Sequence, residues 1–403
     1  MNSVSTIVFY LLVLITIPTT DFKSKNLSHL YDPTAEIRVN FKSYSENRSA
    51  TIFIHIAFKS ELYNIEDYSV IYELKNDYKE KLFLEFDTLK LQSNLIFEGN
   101  NYSVFKVELD NPNNKNILVL SFHNKHNQKQ FYFDVNIDPE RRFANSGILL
   151  SSLEGIPYFR NYLKTNESFK IFQVPTHKSN ELHAFNYRRS FETAEPPMAT
   201  GQTPYNKTME IDSTFSFNIS RVLKLSQEGL YFIQEDTSSA QGMGFRITDN
   251  YYPKLAKIQD LVNSLRYFST RNEWNKLNAV PNLKKAFDEY WLKVTKSEQK
   301  AKRIIKQYFD RVMLANNYFT NYKEGWKTDK GMIFIIFGNP DEVYKNDVGE
   351  LWIYRKNDNF PKMRFSFAKV PNIFTDDHYT LLRSHSYQNN WFKAIQLWRR
   401  GTF

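Results

Sequence analysis

The fold of this chain is decided by residues 325–342, which run GWKTDKGMIFIIFGNPDE. An uninterrupted apolar run, Met332–Phe337, stands between two polar motifs that contain glycine. A short run that is apolar at every position is typical of a strand with both faces covered. We therefore expect a buried strand here. It would begin after a rigid helix-to-strand connector at 325–329 and end in a turn at 338–342.

The residue types of the two motifs favour fixed local structure. Trp326 is a large apolar anchor with one hydrogen-bond donor, while Thr328 and Asp329 can bond nearby backbone. Pro340 fixes one backbone angle and Gly338 tolerates positive φ, so GNPDE has the composition of a turn. Loops held by rigid anchors often carry function, so both motifs could also hold a partner or ligand. The candidate interaction residues are Gly325, Trp326, Thr328, Asp329, Gly338, Pro340 and Asp341.

Amphipathic helices are predicted on the N-terminal side of this stretch. The apolar spacing from Leu255 to Leu265 is that of a helix with one buried face. Pro281 can open a second helix, and the capping box Thr295-Lys-Ser-Glu298 can begin a third that extends to about Tyr322. Two strands and a last helix are expected after the stretch, at Leu351–Arg355, Met363–Ala368 and Asn390–Arg400.

The segment from about Asn282 to Phe403 resembles the GWxTD domain, which is found in exported proteins of Gram-negative bacteria. The order of the matching residues and the spacing between them both agree with that family. The matching residues are Tyr308, Arg311, Val312, Ala315, Asn316, Phe319, Gly325, Trp326, Thr328, Asp329, Ile333–Phe337, Gly338, Pro340, Asp341, Glu342, Glu350, Trp352, Tyr354, Trp391, Ala394, Trp398, Arg399 and Gly401. Asn339 departs from the pattern, because a small residue or proline is more usual there. The resemblance implies a periplasmic or outer-membrane-associated protein and supplies no catalytic residues.

The N-terminal part of the chain is predicted to be β-rich. Short strands separated by turns fit an immunoglobulin-like sandwich at 21–140. A second sandwich-like domain is expected at 141–250, interrupted by a long loop over Glu192–Asn206. The predicted strands are Ile37–Phe41, Thr51–Phe58, Tyr68–Leu74, Lys81–Phe86, Tyr102–Leu109, Ile117–Phe122, Gln130–Ile137, Ile148–Ser152, Phe169–Val174, His183–Tyr187, Phe215–Ile219 and Gly229–Gln234. The predicted fold class is therefore multidomain: two immunoglobulin-like β-sandwiches, then a helical linker and an α+β domain at 251–403.

Residues 1–20 have the pattern of a signal peptide. Ile7–Ile17 is almost wholly apolar and is shorter than the roughly 20 residues that a membrane-spanning helix needs. No Lys or Arg precedes this run and no clean Ala-x-Ala site follows it, so a retained N-terminal anchor is the alternative. We expect an exported protein of the periplasm, with outer-membrane association as a further option.

Several chemistries are excluded or disfavoured. The 403 residues include no cysteine, so disulfides, cysteine metal sites and lipid attachment to cysteine cannot occur. Common nucleophile, zinc-protease, P-loop and dinucleotide motifs are missing, and we predict no catalytic residue, cofactor or metal.

His123 and His126 lie in a stretch typical of a surface turn. A net charge of +9 does not require nucleic acid. The lysines and arginine at 284–306 favour a solvated helix face, with an anionic membrane surface as the alternative.

These observations favour a non-enzymatic envelope protein that binds other envelope proteins, within an outer-membrane-associated assembly or secretion complex. An exposed sandwich edge strand and the 325–329 connector are the expected contact surfaces. One alternative is an envelope hydrolase that uses Asp329 or Asp341 as a general acid or base. The other is a glycan-binding module, which predicts a row of solvent-facing aromatic rings on one sandwich.

Overall fold

The computed structural model describes residues 25–46, 49–61, 63–78, 85–110, 117–137, 148–172, 179–188, 190–200 and 209–403. The predicted signal segment, residues 1–20, lies outside these ranges, as do 81–84 of a predicted strand and 201–206 of the predicted loop. The described chain is β-rich in its N-terminal part and contains several helices in its C-terminal part, as predicted.

Two four-stranded antiparallel sheets form the first β region, in the orders β1-β2-β6-β5 and β4-β3-β7-β8. The strands are β1 Ile37–Glu46, β2 Ser49–Phe58, β3 Tyr68–Lys75, β4 Glu85–Thr88, β5 Leu95–Glu98, β6 Tyr102–Asp110, β7 Ile117–Asn124 and β8 Gln130–Asn136. The sheets face each other across one apolar core, in which Ile54 of β2 and Leu120 of β7 are fully buried. Every strand predicted here overlaps a strand of the structure, but the short β5 was not predicted.

A five-stranded sheet and a three-stranded sheet form the second β region, in the orders β10-β16-β15-β12-β13 and β14-β11-β9. The strands are β9 Leu149–Ser151, β10 Tyr162–Lys164, β11 Ser168–Phe172, β12 Glu181–Tyr187, β13 Ser213–Asn218, β14 Leu223–Lys224, β15 Gly229–Gln234 and β16 Met243–Thr248. Residues from both sheets share one core. The strands β10, β14 and β16 were not predicted. In β16, Met243, Phe245 and Ile247 alternate with Gly244, Arg246 and Thr248, which is a strand pattern that was overlooked in the sequence.

The C-terminal region combines helices with a four-stranded antiparallel sheet of order β17-β18-β19-β20. Its elements are α1 Ile258–Ser264, α2 Arg271–Asn278, α3 Leu283–Thr295, α4 Glu298–Phe319, α5 Asp329–Phe337, β17 Glu342–Asn346, β18 Gly349–Tyr354, β19 Met363–Lys369, β20 Tyr379–Leu381 and α6 Gln388–Arg400. Among the described helices, none has the length and apolar character needed to cross a bilayer.

The strand predicted at Met332–Phe337 is wrong, because these residues belong to the helix α5. The side chain of Thr328 caps the first turn, and Gly338 ends the helix with φ of +82°. All nine residues of α5 are buried, since α4, α6 and the sheet cover it from different sides. A helix that is covered all round carries the same continuous apolar pattern as a doubly covered strand.

Three other boundaries differ from the sequence predictions. Ser297 caps α4, and Thr295 is instead the last residue of α3, whose C-cap Lys296 has φ of +58°. Asn282 caps α3, so Pro281 precedes the helix rather than opening it. The helix α4 stops at Phe319, and the short elements α2, β17 and β20 were missed.

The first described residues link the first β region to the C-terminal region. Backbone N–H of Leu27 donates to Val343 O at 2.8 Å, so this segment lies along the outer edge of β17. On the other side, Lys25 forms an ion pair with Glu73 of β3, with 3.1 Å between Nζ and Oε1. The N-terminal segment therefore contacts both regions at once.

Candidate functional site

The motif at 325–329 forms a tight corner between α4 and α5. Gly325 lies directly against α4, where a Cβ atom on it would come 2.1 Å from Ala315 O. The backbone N–H of Trp326 donates to Asn316 Oδ1 at 3.0 Å, and Tyr267 donates its hydroxyl to Trp326 O at 3.1 Å. The Trp326 side chain is 1% exposed. Only glycine fits at the first position, and the tryptophan anchors the corner in the core.

Thr328 closes this corner through its hydroxyl group. The Thr328 hydroxyl donates to Gly325 O at 2.7 Å and accepts from the N–H of Gly331 at 3.0 Å. A Cβ atom at Gly331 would come 2.0 Å from Gly325 O, so glycine is required there too. One hydroxyl therefore bonds the turn before the helix and the first turn of α5.

Asp329 ties the start of α5 to the C-terminal sheet. Its Oδ2 atom accepts from the backbone N–H of Leu381, in β20, at 2.8 Å. Arg383 donates from Nη1 to Oδ2 at 3.2 Å and from Nη2 to Oδ1 at 2.5 Å. The same guanidinium donates to Glu195 O at 3.0 Å. Both carboxylate oxygens are thus occupied by internal donors, and the side chain is buried.

A buried ion pair follows immediately, between Lys330 Nζ and Glu350 Oε1 at 2.8 Å. Tyr31 donates its hydroxyl to Glu350 Oε2 at 3.0 Å, and Trp352 donates from Nε1 to the same atom at 3.0 Å. Burial alone would raise the pKa of Glu350, but Lys330 and Lys345 outweigh it and the pKa lies below its ordinary value. Burial lowers the pKa of Lys330.

A polar cavity of about 180 Å³ adjoins this pair. The first β region contributes to its surroundings, because Asp134 of β8 pairs with Lys345 Nζ at 2.9 Å and accepts from the Tyr78 hydroxyl at 2.5 Å. Burial alone would raise the pKa of Asp134, but the field of Lys345 holds it below its ordinary value. Charges from two regions of the chain are therefore balanced against each other inside the protein.

The second motif lies against Arg311, a half-buried arginine of α4. Arg311 donates from Nη1 to Ile335 O at 3.1 Å, and its guanidinium lies over the rings of Trp398 and Phe403, 4.7 and 4.8 Å from their centres. Burial lowers the pKa of Arg311 to about 10. Gly338 has φ of +82° and faces this guanidinium, 3.2 Å from where its Cβ would lie. The glycine therefore meets both a backbone and a packing requirement.

Asp341 is the one acidic motif residue that the structure leaves exposed. Its Oδ2 atom accepts from the N–H of Arg355 at 2.7 Å, while Pro340 is buried beside it. Asp341 also lines a cavity of about 270 Å³. The remaining lining comprises Phe337, Asn339, Tyr354, Asn357, Asn359, Phe360, Met363 and Phe403. This described lining includes no second carboxylate and no histidine, and Asp329 does not reach it.

A cleft of about 530 Å³, which we call the aromatic cleft, lies between the two β regions. Its floor is the outer face of the sheet β1-β2-β6-β5, including His55 and Tyr102. Residues 152–160 of the second β region form the opposite wall, with Phe159 among them, and Asn317 of α4 lies at one end. Sequence analysis did not identify any of these residues.

The histidines and lysines noted in the sequence form hydrogen bonds and ion pairs with nearby side chains. His126 lies 2.9 Å from Asp67 and His123 bonds Gln128. Within the described part of the chain, no cluster of acidic and histidine side chains is arranged to hold a metal ion. On α3 and α4, lysines and acidic residues four positions apart form exposed ion pairs, at Lys284–Asp288, Lys285–Glu289, Glu298–Lys302 and Lys306–Asp310. These pairs cancel part of the positive charge on the helix surface.

Comparison with known proteins gives a family match for the C-terminal part of the chain. Residues 229–400 match the family model of the GWxTD domain. The C-terminal part of this chain is a GWxTD domain. The match begins at Gly229, in β15, and so extends well N-terminal to Asn282, where the resemblance in the sequence starts. The matched range therefore covers two strands of the five-stranded sheet as well as the helices.

Comparisons with curated proteins and with solved structures give no further assignment. No curated protein matches the chain. Among solved structures, the chain is similar to a chimeric titin Z1Z2-Z1Z2 tandem (Z1212) functionalized with a GRGDS exogenous peptide from fibronectin. The identity is 11%, the TM-score is 0.15, and the match covers 52% of this chain and 96% of that chain. A likeness at this TM-score carries no argument about the fold.

Most partners of the GWxTD residues were not identified from the sequence. Arg383 and Lys330 were not singled out, and Glu350 entered only through the resemblance. Asn316 and Arg311 also matched the family, but their contacts could not be derived. A buried ion pair has no local sequence signal, because its two members can be far apart along the chain.

Proposed function

We propose that this chain is an exported, non-enzymatic protein that binds other proteins of the bacterial envelope, within an outer-membrane-associated assembly or secretion complex. The observation that carries the proposal is that the GWxTD residues are buried and form their hydrogen bonds within the protein. Gly325, Trp326, Thr328 and Asp329 are all buried, and their polar groups bond α4, α5 and β20. A motif arranged in this way supports a scaffold rather than a reaction.

The first β region is proposed to be an immunoglobulin-like module. Its order β1-β2-β6-β5 corresponds to the A-B-E-D sheet of such domains, and β3-β7-β8 corresponds to C-F-G, with β4 as an added edge strand. Modules of this kind commonly serve as spacers and binding surfaces, which agrees with a role in assembly. The second β region, also built from two sheets around one core, is proposed to be a related module.

The contact surface is proposed to lie at one edge of the first module. The strands β4 and β5 each end a sheet, and the short connection 89–94 keeps the two edges together. Two apolar side chains are exposed there, Phe86 at 52% and Ile96 at 41%. An edge strand with exposed apolar residues can pair with a strand of another protein. The GWxTD corner, which is buried, would hold the module in place instead of meeting the partner.

Affinity purification of the full chain from detergent-solubilised native membranes tests this function. We expect a partner in stoichiometric amount, lost in the Phe86→Lys/Ile96→Lys variant and kept in the Phe392→Lys variant. Phe392 is the matched control, because this α6 residue is similarly exposed, at 50%. Recovery of the wild-type chain as a monomer without a stoichiometric partner would contradict the proposal.

A hydrolase activity and contact with an anionic membrane surface both have less support. A hydrolase using Asp329 is disfavoured, because internal donors occupy both of its carboxylate oxygens. Asp341 lines a cavity, but it lacks a second acidic or basic group among the described lining residues. Contact of α3 and α4 with an anionic membrane surface remains a secondary proposal, weakened by their lysine–carboxylate pairs.

A further inference from the structure

We propose that the aromatic cleft binds a neutral oligosaccharide. This inference goes beyond the proposed partner binding and does not depend on it, since the cleft and the β4–β5 edge are separate surfaces. The cleft volume of about 530 Å³ lies within the roughly 300–1,000 Å³ of small-molecule sites. It is also formed between two β regions, and ligand sites are frequent at such junctions.

A row of neighbouring aromatic rings lines the cleft. Phe97 stacks on Tyr102 with ring centres 5.5 Å apart, and Tyr102 lies 5.1 Å from His55. His55 in turn lies 5.0 Å from Phe159, which comes from the second β region. The row therefore continues from one wall of the cleft to the other. Flat ring faces suit the apolar faces of sugar rings, and Tyr102 is 37% exposed.

Neutral polar groups lie beside these rings. Asn40 of β1 and Asn317 of α4 both line the cleft and are exposed. Each amide offers donors and an acceptor, which is the combination that sugar hydroxyls require. His55 Nδ1 is buried and has no hydrogen-bond partner among the described residues. Asn40 and Asn317 are therefore the groups placed to bond sugar hydroxyls.

The charges of the cleft favour a neutral ligand. Arg160 is paired with Glu167, whereas Arg38 donates to two neutral groups, Pro33 O at 3.3 Å and the Tyr318 hydroxyl at 3.2 Å. Glu154 adds a negative charge to the lining. Burial lowers the pKa of His29 to about 4 and also lowers the pKa of His55, so both rings are uncharged at neutral pH. The two arginines therefore have internal partners and the imidazoles carry no charge. With Arg160 paired to Glu167 and the positive Arg38 offset by the negative Glu154, the lining has no net positive charge to attract a phosphate or sulfate group.

The test is an array of neutral and acidic oligosaccharides probed with the full chain, followed by calorimetry on the strongest neutral hit. We expect binding of a neutral oligosaccharide that Tyr102→Ala weakens about tenfold, because a stacked ring contact is lost. Asn317→Ala should weaken it several-fold, and this exposed residue can be changed without disturbing the core. Tyr251→Ala is the matched control, because Tyr251 is 70% exposed and lies outside the cleft.

Three outcomes would overturn the proposal. The first is the absence of any hit with folded protein, and the second is binding of acidic oligosaccharides alone. The third is a neutral hit whose affinity is unchanged by both cleft variants, which would place the ligand elsewhere. If Tyr102→Ala does not fold, Asn40→Ala together with Asn317→Ala decides the question in the same assay.

Discussion

The carboxylate of Asp329 and the guanidinium of Arg383 form a two-bonded ion pair, although the residues are 54 positions apart in the chain. Asp329 begins α5 and Arg383 follows β20, so the pair fixes the helix against the edge of the C-terminal sheet. The last residue of the GWxTD motif therefore acts at long range. Gly325 and Thr328 act locally, within the corner between α4 and α5, whereas Trp326 also accepts from the distant Tyr267 hydroxyl.

Gly325→Ala should be severely destabilising. The new Cβ would lie 2.1 Å from Ala315 O, so backbone must move, and we expect a loss of about 3 kcal/mol or more. Gly155→Ala is the control, because Gly155 has φ of +84° but open space around it. That change should cost only about 1 kcal/mol from backbone strain. Urea unfolding followed by tryptophan fluorescence measures both, and equal losses would contradict the close-packing argument.

Thr328→Val should destabilise the protein by about 1–2 kcal/mol, because it removes the helix-capping hydroxyl while keeping the side-chain shape. The bonds lost are those to Gly325 O and from the N–H of Gly331. Thr328→Ser keeps the hydroxyl and should stay within about 0.5 kcal/mol of the wild type. Thermal unfolding of the two variants compares them directly. If valine is tolerated as well as serine, the hydroxyl does not cap α5.

Stability should fall when the pH is lowered from 6.5 towards 4. Burial lowers the pKa of both His29 and His378 from 6.5 to about 4. Below pH 6.5 the unfolded chain takes up protons that the folded chain does not, so folding becomes less favourable, by about 3 kcal/mol for each histidine. The loss should be complete near the folded pKa values.

The histidine assignment can be checked by comparing unfolding free energies at pH 7 and pH 4.5. The His29→Gln/His378→Gln variant should lose much less stability between these two pH values than the wild type. His126→Gln is the control, since the His126 side chain is 74% exposed. An unchanged pH dependence in the double variant would show that other groups cause the acid sensitivity.

The architecture was largely predictable because most of its elements have one apolar face. Alternating strands such as β3 and β8 and the amphipathic helices α3, α4 and α6 show their period directly in the sequence. The helix α5 shows no helical period in the sequence, because it is covered on every side and its apolar run is continuous. The capping residues would have distinguished a fully covered helix from a doubly covered strand. Thr328 before the run and Gly338 after it are the start and stop signals of a helix.

The candidate site was predictable only in its local part. A turn at Gly338-Asn-Pro340 follows from residue type, and Trp326 was recognised as an anchor. Contacts that join distant residues, such as those from Lys330 to Glu350 and from Asp329 to Arg383, depend on the tertiary fold. The aromatic cleft was missed for the same reason, because its rings come from separate strands and from two β regions.

The central claim is that the GWxTD motif stabilises the fold through internal bonds, and a double-mutant cycle on Asp329 and Arg383 tests it most directly. The variants are Asp329→Ala, Arg383→Ala and the two combined, with unfolding free energies measured by chemical denaturation. We predict that each single change destabilises the protein and that the combined loss is smaller than their sum, with a coupling of about 2–4 kcal/mol. Losses that are small and additive within about 0.5 kcal/mol would contradict the claim.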